Sequence, residues 1–76
     1  MIEKQLFETD ITYHEKTHVL EVYSPDETKI PPVYRAVIGK VTELFFYQDE
    51  NGKWNEENKG RTELAALIGY EIRRHK

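Results

Sequence analysis

Hydrophobic and polar residues alternate along the first third of the chain. Phe7, Ile11 and Tyr13 are separated by polar positions, and a period of two is typical of a strand with one buried face. A polar stretch, His14-Glu15-Lys16-Thr17, with Glu15 and Lys16 at its centre, then interrupts the pattern before a second apolar run begins. The sequence therefore predicts a β-hairpin that turns near these two polar residues.

Residues 24–32 contain all three prolines and are predicted to form a connection. The apolar positions that follow, within residues 33–46, fit either one face of a helix or a strand. Gly39 in the middle would cost a helix about 1 kcal/mol relative to Ala, and the many Val, Ile, Thr and aromatic residues disfavour a helix further. We predict a strand in which Gly39 forms a bulge or bend between Tyr34–Ile38 and Lys40–Gln48. A helix over residues 33–46 is the alternative.

The aromatic run at residues 41–48 is followed by Asn51-Gly52, the strongest short-range signal for a β-hairpin. The length of the loop determines the register of this hairpin, and two lengths fit the sequence. A two-residue turn would place Tyr47 opposite Glu56, whereas a four-residue loop would place Tyr47 opposite Trp54 and allow an aromatic cross-strand pair. We favour the four-residue loop.

The last segment carries the clearest helix pattern. Thr62 is suited to cap a helix, Glu63 is favourable near its positive N-terminal end, and the helix is expected to end near His75. Apolar residues recur at helical spacing at Leu64, Leu67, Ile68 and Ile72. The predicted fold is therefore α+β: an antiparallel meander of about four strands with a C-terminal helix packed on one face. The alternative helix at residues 33–46 would give a two-helix α+β domain.

The length of 76 residues indicates a single domain over residues 1–76, and folding at this size buries only about 60% of the surface that the unfolded chain exposes. The chain has no cysteine, which excludes disulfides and thiolate chemistry. It has neither the pattern of a signal peptide nor an apolar run long enough to cross a membrane. We therefore expect a soluble cytoplasmic protein.

Candidate catalytic groups are sparse. His14 and His18 lack a third metal ligand nearby, the only serine is Ser24 beside a proline, and the glycines are isolated rather than grouped in a phosphate-binding loop. Glu71 lies within the apolar stripe of the helix and is expected to pair with Arg74 or His75. We therefore predict no catalytic residue, no metal site and no cofactor, and we expect a protein that is not an enzyme.

Charge is distributed unevenly around the net value of −3. Residues 1–58 carry six Lys and Arg residues and twelve carboxylates, a net charge of −6, whereas residues 59–76 carry five and two, a net charge of +3. The basic helix end suggests an alternative function, nucleic-acid binding, with an aromatic residue available for stacking. The residues of this alternative site are Arg61, Tyr70, Arg73, Arg74 and Lys76.

Nine aromatic residues are more than one helix over a small sheet can easily cover. Phe45 and Phe46 must point to opposite faces of a regular strand, so the helix covers one and the other needs a different cover. A partner, a second copy or a second sheet layer from the first hairpin would each supply that cover, and a closed, barrel-like arrangement is the alternative. Exposed aromatic patches commonly mark association surfaces. We predict a small binding or regulatory protein whose protein partner, or second copy, contacts the aromatic hairpin through Phe45, Phe46, Tyr47 and Trp54.

Overall fold

The computed structural model describes residues 3–75. Its five strands form one antiparallel sheet in meander order, β1-β2-β3-β4-β5, followed by a single helix. The elements are β1 (Gln5–Tyr13), β2 (Lys16–Tyr23), β3 (Val33–Ile38), β4 (Thr42–Gln48), β5 (Trp54–Glu56) and α1 (Glu63–Arg74). The predicted α+β meander with a C-terminal helix is confirmed, and the alternative helix at residues 33–46 is wrong.

The first hairpin turns at His14 and Glu15, one position earlier than the centre of the polar stretch. Both residues have positive φ, at 51° and 64°, and Tyr13 pairs with Lys16 across the turn. Two consecutive left-handed residues match the twist of the flanking strands and close a two-residue hairpin. His18 lies farther along β2, opposite Ile11.

Gly39 does not bend one long strand as predicted. Gly39 and Lys40 have φ values of 63° and 66°, and Ile38 pairs with Thr42. Two successive left-handed residues reverse the chain, so the segment forms two paired strands, β3 and β4, instead of one. Gly39 is also tied to β2 by the hydrogen bond that its N–H donates to the carbonyl oxygen of Val19, at 2.8 Å.

Helix α1 begins as the sequence predicts. The Thr62 side chain accepts a hydrogen bond from the N–H of Ala65 at 3.0 Å, and His75 caps the other end. The Thr62 hydroxyl also donates to the buried carboxylate of Glu56 at 3.1 Å, so the cap joins the helix to β5. Among residues 3–75 no helix has the length and apolarity needed to cross a membrane.

The core lies between α1 and one face of the sheet. Four strands and the helix contribute side chains that are almost completely buried. These are Ile11, Leu20, Val22, Ala36, Phe46, Ala65, Ile68 and Ile72. At the C-terminal end of α1, the ring of His75 stacks on Phe7 with centroids 4.2 Å apart. The helix is therefore held against the sheet from β5 to β1.

The buried carboxylate of Glu71 forms the predicted ion pair. It is 7% exposed and lies 2.8 Å from Nη2 of Arg74 and 3.7 Å from Nε2 of His75. A buried carboxylate needs such partners because its desolvation would otherwise be costly. Glu71 therefore belongs to the attachment of the helix end.

Candidate functional site

The four hairpin aromatics predicted to form one surface are divided between the two faces of the sheet. Phe46 is fully buried beneath α1, and Trp54 packs against the same core. Phe45 is 37% exposed and Tyr47 half-buried on the opposite side. We term this opposite side the open face. Its central positions are Val19, Glu21, Tyr23, Val33, Arg35, Val37, Glu43, Phe45 and Tyr47.

The register of the β4–β5 hairpin explains this division and corrects the predicted loop. Tyr47 pairs with Asn55, and Gln48 with Trp54, so neither predicted register is right. Asp49 and Lys53 close the loop through a 2.8 Å backbone hydrogen bond, which leaves three residues between them. Gly52, with φ of 80°, completes this three-residue loop in the left-handed region. The odd loop length turns Trp54 to the helix side.

Side-chain hydrogen bonds of Asp49 stabilise that loop. Its Oδ1 accepts from the N–H groups of Asn51 and Lys53 at 2.9 and 3.0 Å, and its Oδ2 accepts from the amide of Asn55 at 3.1 Å. The hydrogen bond from Lys53, followed by that from Asn55, holds the pKa of the Asp49 carboxyl below its ordinary value. An ionised Asp49 is thus part of what fixes the register.

Trp54 is packed tightly on the helix face. Its ring meets Tyr34 edge-on, with centroids 5.5 Å apart and planes at 60°. A Cβ atom added to Gly69 of α1 would overlap the indole ring. Trp54 is therefore a contact between helix and sheet, and it does not share a surface with Tyr47.

The open face is ordered in rows across the strands. Glu8 pairs with Glu21, Glu21 with Val37, and Val37 with Glu43, which gives one row across four strands. Arg35 pairs with Phe45 in the next row. Apolar side chains on this face are thus flanked by carboxylates, an arrangement suited to contact with another polypeptide.

An ionic cluster occupies the centre of this face. The Arg35 guanidinium lies 4.1 Å above the Tyr23 ring, and its Nε is 3.0 Å from both carboxylate oxygens of Glu3. Nη1 of Arg35 lies 2.9 Å from Glu43. The hydrogen bonds from Arg35 lower the pKa of the Glu3 carboxyl, and the 2.8 Å hydrogen bond to Glu21 raises the pKa of Tyr23. The cluster fixes Arg35 flat on the sheet beside Phe45.

A shallow cleft lies where the β2–β3 connection meets the open face. Its volume is about 330 Å³. The lining includes Phe45, Val33 and Arg35 from the sheet and Pro25 and Lys29 from the connection. Lys29 reaches toward Glu57, 3.8 Å away. The cleft continues the surface of Phe45 toward the connection.

The basic residues of the alternative nucleic-acid site are only partly available. Tyr70 is 62% exposed, and Arg61 and Arg73 are exposed as well. Arg74 is paired with the buried Glu71. Lys76 lies outside the described residues. Arg61 precedes the first turn of α1, whereas Arg73 lies in its last turn. Among residues 3–75, Tyr70 and Arg73 therefore lie at one end of the helix and Arg61 at the other, rather than in the continuous basic surface that the sequence suggested.

Arg35 and Tyr23 are among the residues of the open face that sequence reasoning missed. Val33, Arg35 and Val37 do alternate, which is a signal of one common face. That signal becomes useful only when the β3–β4 register is known, because the register places Arg35 beside Phe45. The cation–π contact with Tyr23 depends on a second register, between β2 and β3.

Comparison with known proteins adds no relative. No family model matches the chain, and no match was found among curated proteins or solved structures.

Proposed function

We propose that this chain is a small protein-binding module that contacts its partner through the open face of the sheet. The proposal rests chiefly on one observation: α1 covers one face of the sheet, whereas Phe45 remains 37% exposed on the other, among half-buried apolar side chains. An aromatic ring on a paired strand is a suitable anchor because its side chain has few torsions and loses little conformational entropy when a partner covers it.

The contacts around Phe45 support this role. Arg35 is held beside it by Glu3, Glu43 and Tyr23, so the anchor stands next to a rigid cation and not a mobile one. Aromatic and Arg side chains are enriched where protein interfaces are buried. Tyr47, in the neighbouring row, extends the same surface. Phe46 and Trp54 act through the core, by holding the hairpin in its register.

The test is capture of proteins from an extract of the source cells by the immobilised chain. We expect Phe45→Ser to remove specifically captured proteins, because the substitution takes away the anchor and leaves the core untouched. Tyr70→Ser is the matched control: it removes an exposed aromatic ring from the helix side. Equal capture by wild type and Phe45→Ser, with circular dichroism showing both folded, would contradict the proposal. Sedimentation of the purified chain shows whether the partner is a second copy.

Nucleic-acid binding is the second candidate. Tyr70 and Arg73 are both exposed and lie three positions apart on α1, so their side chains are neighbours on the helix surface. We expect any binding of labelled single-stranded DNA to weaken as salt rises and to weaken further in Arg73→Gln. Absence of binding at low salt would remove this candidate. A cytoplasmic location likewise remains a prediction.

A further inference from the structure

The carboxylates of the open face are arranged for a cationic partner. Glu8 and Glu21 lie directly opposite each other on β1 and β2, and Asp10 lies on the same face one row away, opposite Val19. Among residues 3–75, no Lys, Arg or His forms a salt bridge with any of these three carboxylates. Like charges directly opposite each other destabilise a sheet. The isolated chain therefore holds a repulsion that a cation placed over the pair would relieve.

Apolar side chains adjoin these carboxylates. Val19 pairs with Asp10, and Val37 lies between Glu21 and Glu43 in the same row. Both valines are half-buried, and α1 packs on the opposite side of the sheet. The surface is therefore not a uniformly solvated acidic patch. Apolar positions at its centre and carboxylates around them match a segment that carries cations around apolar residues.

We propose that the partner of the open face is a protein segment in which Lys or Arg side chains flank apolar ones. This inference rests on the proposed function and names the chemistry of its partner. The cations would lie over Glu8, Asp10 and Glu21, and an apolar side chain would contact Val37 and Phe45. Complementary charge of this kind raises the association rate and selects among partners, while the apolar contacts provide most of the affinity.

A second copy of the chain fits this face poorly. A two-fold face-to-face dimer brings the same patch of each copy together, so the carboxylates near Glu21 would oppose their own equivalents. The cation at the centre of the face, Arg35, is already engaged by Glu3 and Glu43. Self-association through the open face would therefore add like-charge contacts without supplying a counterion.

Two synthetic peptides test the inference on the intact chain: acetyl-Lys-Val-Lys-Phe-Lys-Val-Lys-amide and its analogue with Ser in place of each Lys. Amide chemical shifts of the ¹⁵N-labelled protein locate the peptide. We expect the cationic peptide to shift Val19, Glu21, Val37 and Phe45, and the Ser analogue to bind at least about fivefold more weakly. Raising salt from about 20 mM to about 300 mM should weaken the cationic peptide selectively.

The acidic β4–β5 loop is an internal control, because it also carries two carboxylates, those of exposed Glu50 and half-buried Asp49. Shifts spread equally over this loop and the open face would show general charge attraction and overturn the inference. No shift, or equal affinity of the two peptides, would also overturn it. The inference would also be overturned if sedimentation showed a dimer that Phe45→Ser converts to monomers, because a second copy of the chain would then cover the open face.

Paired variants separate this inference from the proposed function. Glu8→Gln with Glu21→Gln should weaken the cationic peptide about fivefold, whereas Glu15→Gln with Glu50→Gln, the same change in net charge, should leave its affinity within about twofold. If the two pairs of substitutions changed the affinity for the cationic peptide equally, only the inference of a basic partner would be contradicted. Unchanged capture from cell extract by Phe45→Ser contradicts the role of the open face itself. The two failures are therefore distinguishable.

Discussion

The two faces of this sheet differ although they are built from the same strands. Phe46 is fully buried on the helix face, and its neighbour Phe45 is 37% exposed on the open face. On the helix face, apolar side chains meet the apolar stripe of α1. On the open face, valines and aromatic rings lie beside carboxylates and the Arg35 cluster. Nearly complete burial therefore stabilises the helix face, whereas the open face combines mostly half-buried apolar side chains with ion pairs that are partly hydrated.

This difference predicts where substitutions affect stability and where they affect binding. The free energy of unfolding of a domain of this length is about 4–11 kcal/mol. Removing a buried apolar side chain therefore costs a large part of that stability. Exposed ion pairs contribute about 0–1 kcal/mol each. The helix face should therefore be sensitive to substitution in unfolding experiments, and the open face chiefly in binding experiments.

The largest expected effect is that of Phe46→Ala. We expect it to lower the free energy of unfolding by about 3–5 kcal/mol, because it leaves a cavity beneath α1. Urea denaturation followed by circular dichroism measures the loss. Phe45→Ala, the adjacent residue on the other face, should lower stability by less than half as much. Comparable losses of unfolding free energy at the two positions would mean that the two faces of the sheet do not differ in burial. If Phe46→Ala does not fold, Phe46→Leu provides a milder variant for the same comparison.

Gly69→Ala tests the contact between helix and sheet, because the contact determines whether the substitution raises or lowers the free energy of unfolding. An Ala in place of Gly in a helix interior ordinarily stabilises by about 0.5–1 kcal/mol. Here the added methyl group would overlap the Trp54 indole, so we expect destabilisation of about 1–3 kcal/mol and a change in Trp54 fluorescence. Ala66→Gly, at an exposed position of the same helix, gives the ordinary propensity effect for reference. A more stable Gly69→Ala variant would contradict the packing.

Thr62→Ala tests the join between α1 and β5. It removes the cap on Ala65 and the hydroxyl that donates to buried Glu56, so a loss of about 1–2 kcal/mol is expected. Thr62→Ser keeps the hydroxyl and should retain most of the stability in thermal unfolding. If Ser and Ala were equally destabilising, the hydroxyl would not be the relevant group.

Acid should weaken the loop that sets the register of Trp54. The folded pKa of Asp49 is lowered, so its ionised form contributes stability that is present above its unfolded pKa, about 3.9, and is lost as pH falls through the folded value. Asp49→Asn should therefore reduce the slope of stability against pH below about pH 4. Near-ultraviolet circular dichroism of Trp54 reports the loop, and Glu50→Gln is the neighbouring control. An unchanged acid slope in Asp49→Asn would exclude this role.

Local chemistry in the sequence was enough to predict the elements with short-range causes. Alternation predicted the strands of the first hairpin, and Thr62 with the apolar spacing after it predicted α1 and its cap. The opposite orientations of Phe45 and Phe46 followed from the two-residue period alone. These features depend on neighbouring residues within about one helical turn or one pleat, so they can be predicted from the amino-acid sequence.

The features that define the candidate site depend on longer contacts. A loop of three residues rather than four turned Trp54 into the core, and two left-handed residues at Gly39 made a turn where a bend was expected. Arg35 joined Phe45 and Tyr23 only through the pairing of separate strands. The alternating pattern thus specified that the sheet has two faces. Strand register, set by side-chain contacts within loops and between distant residues, decided which side chains each face carries.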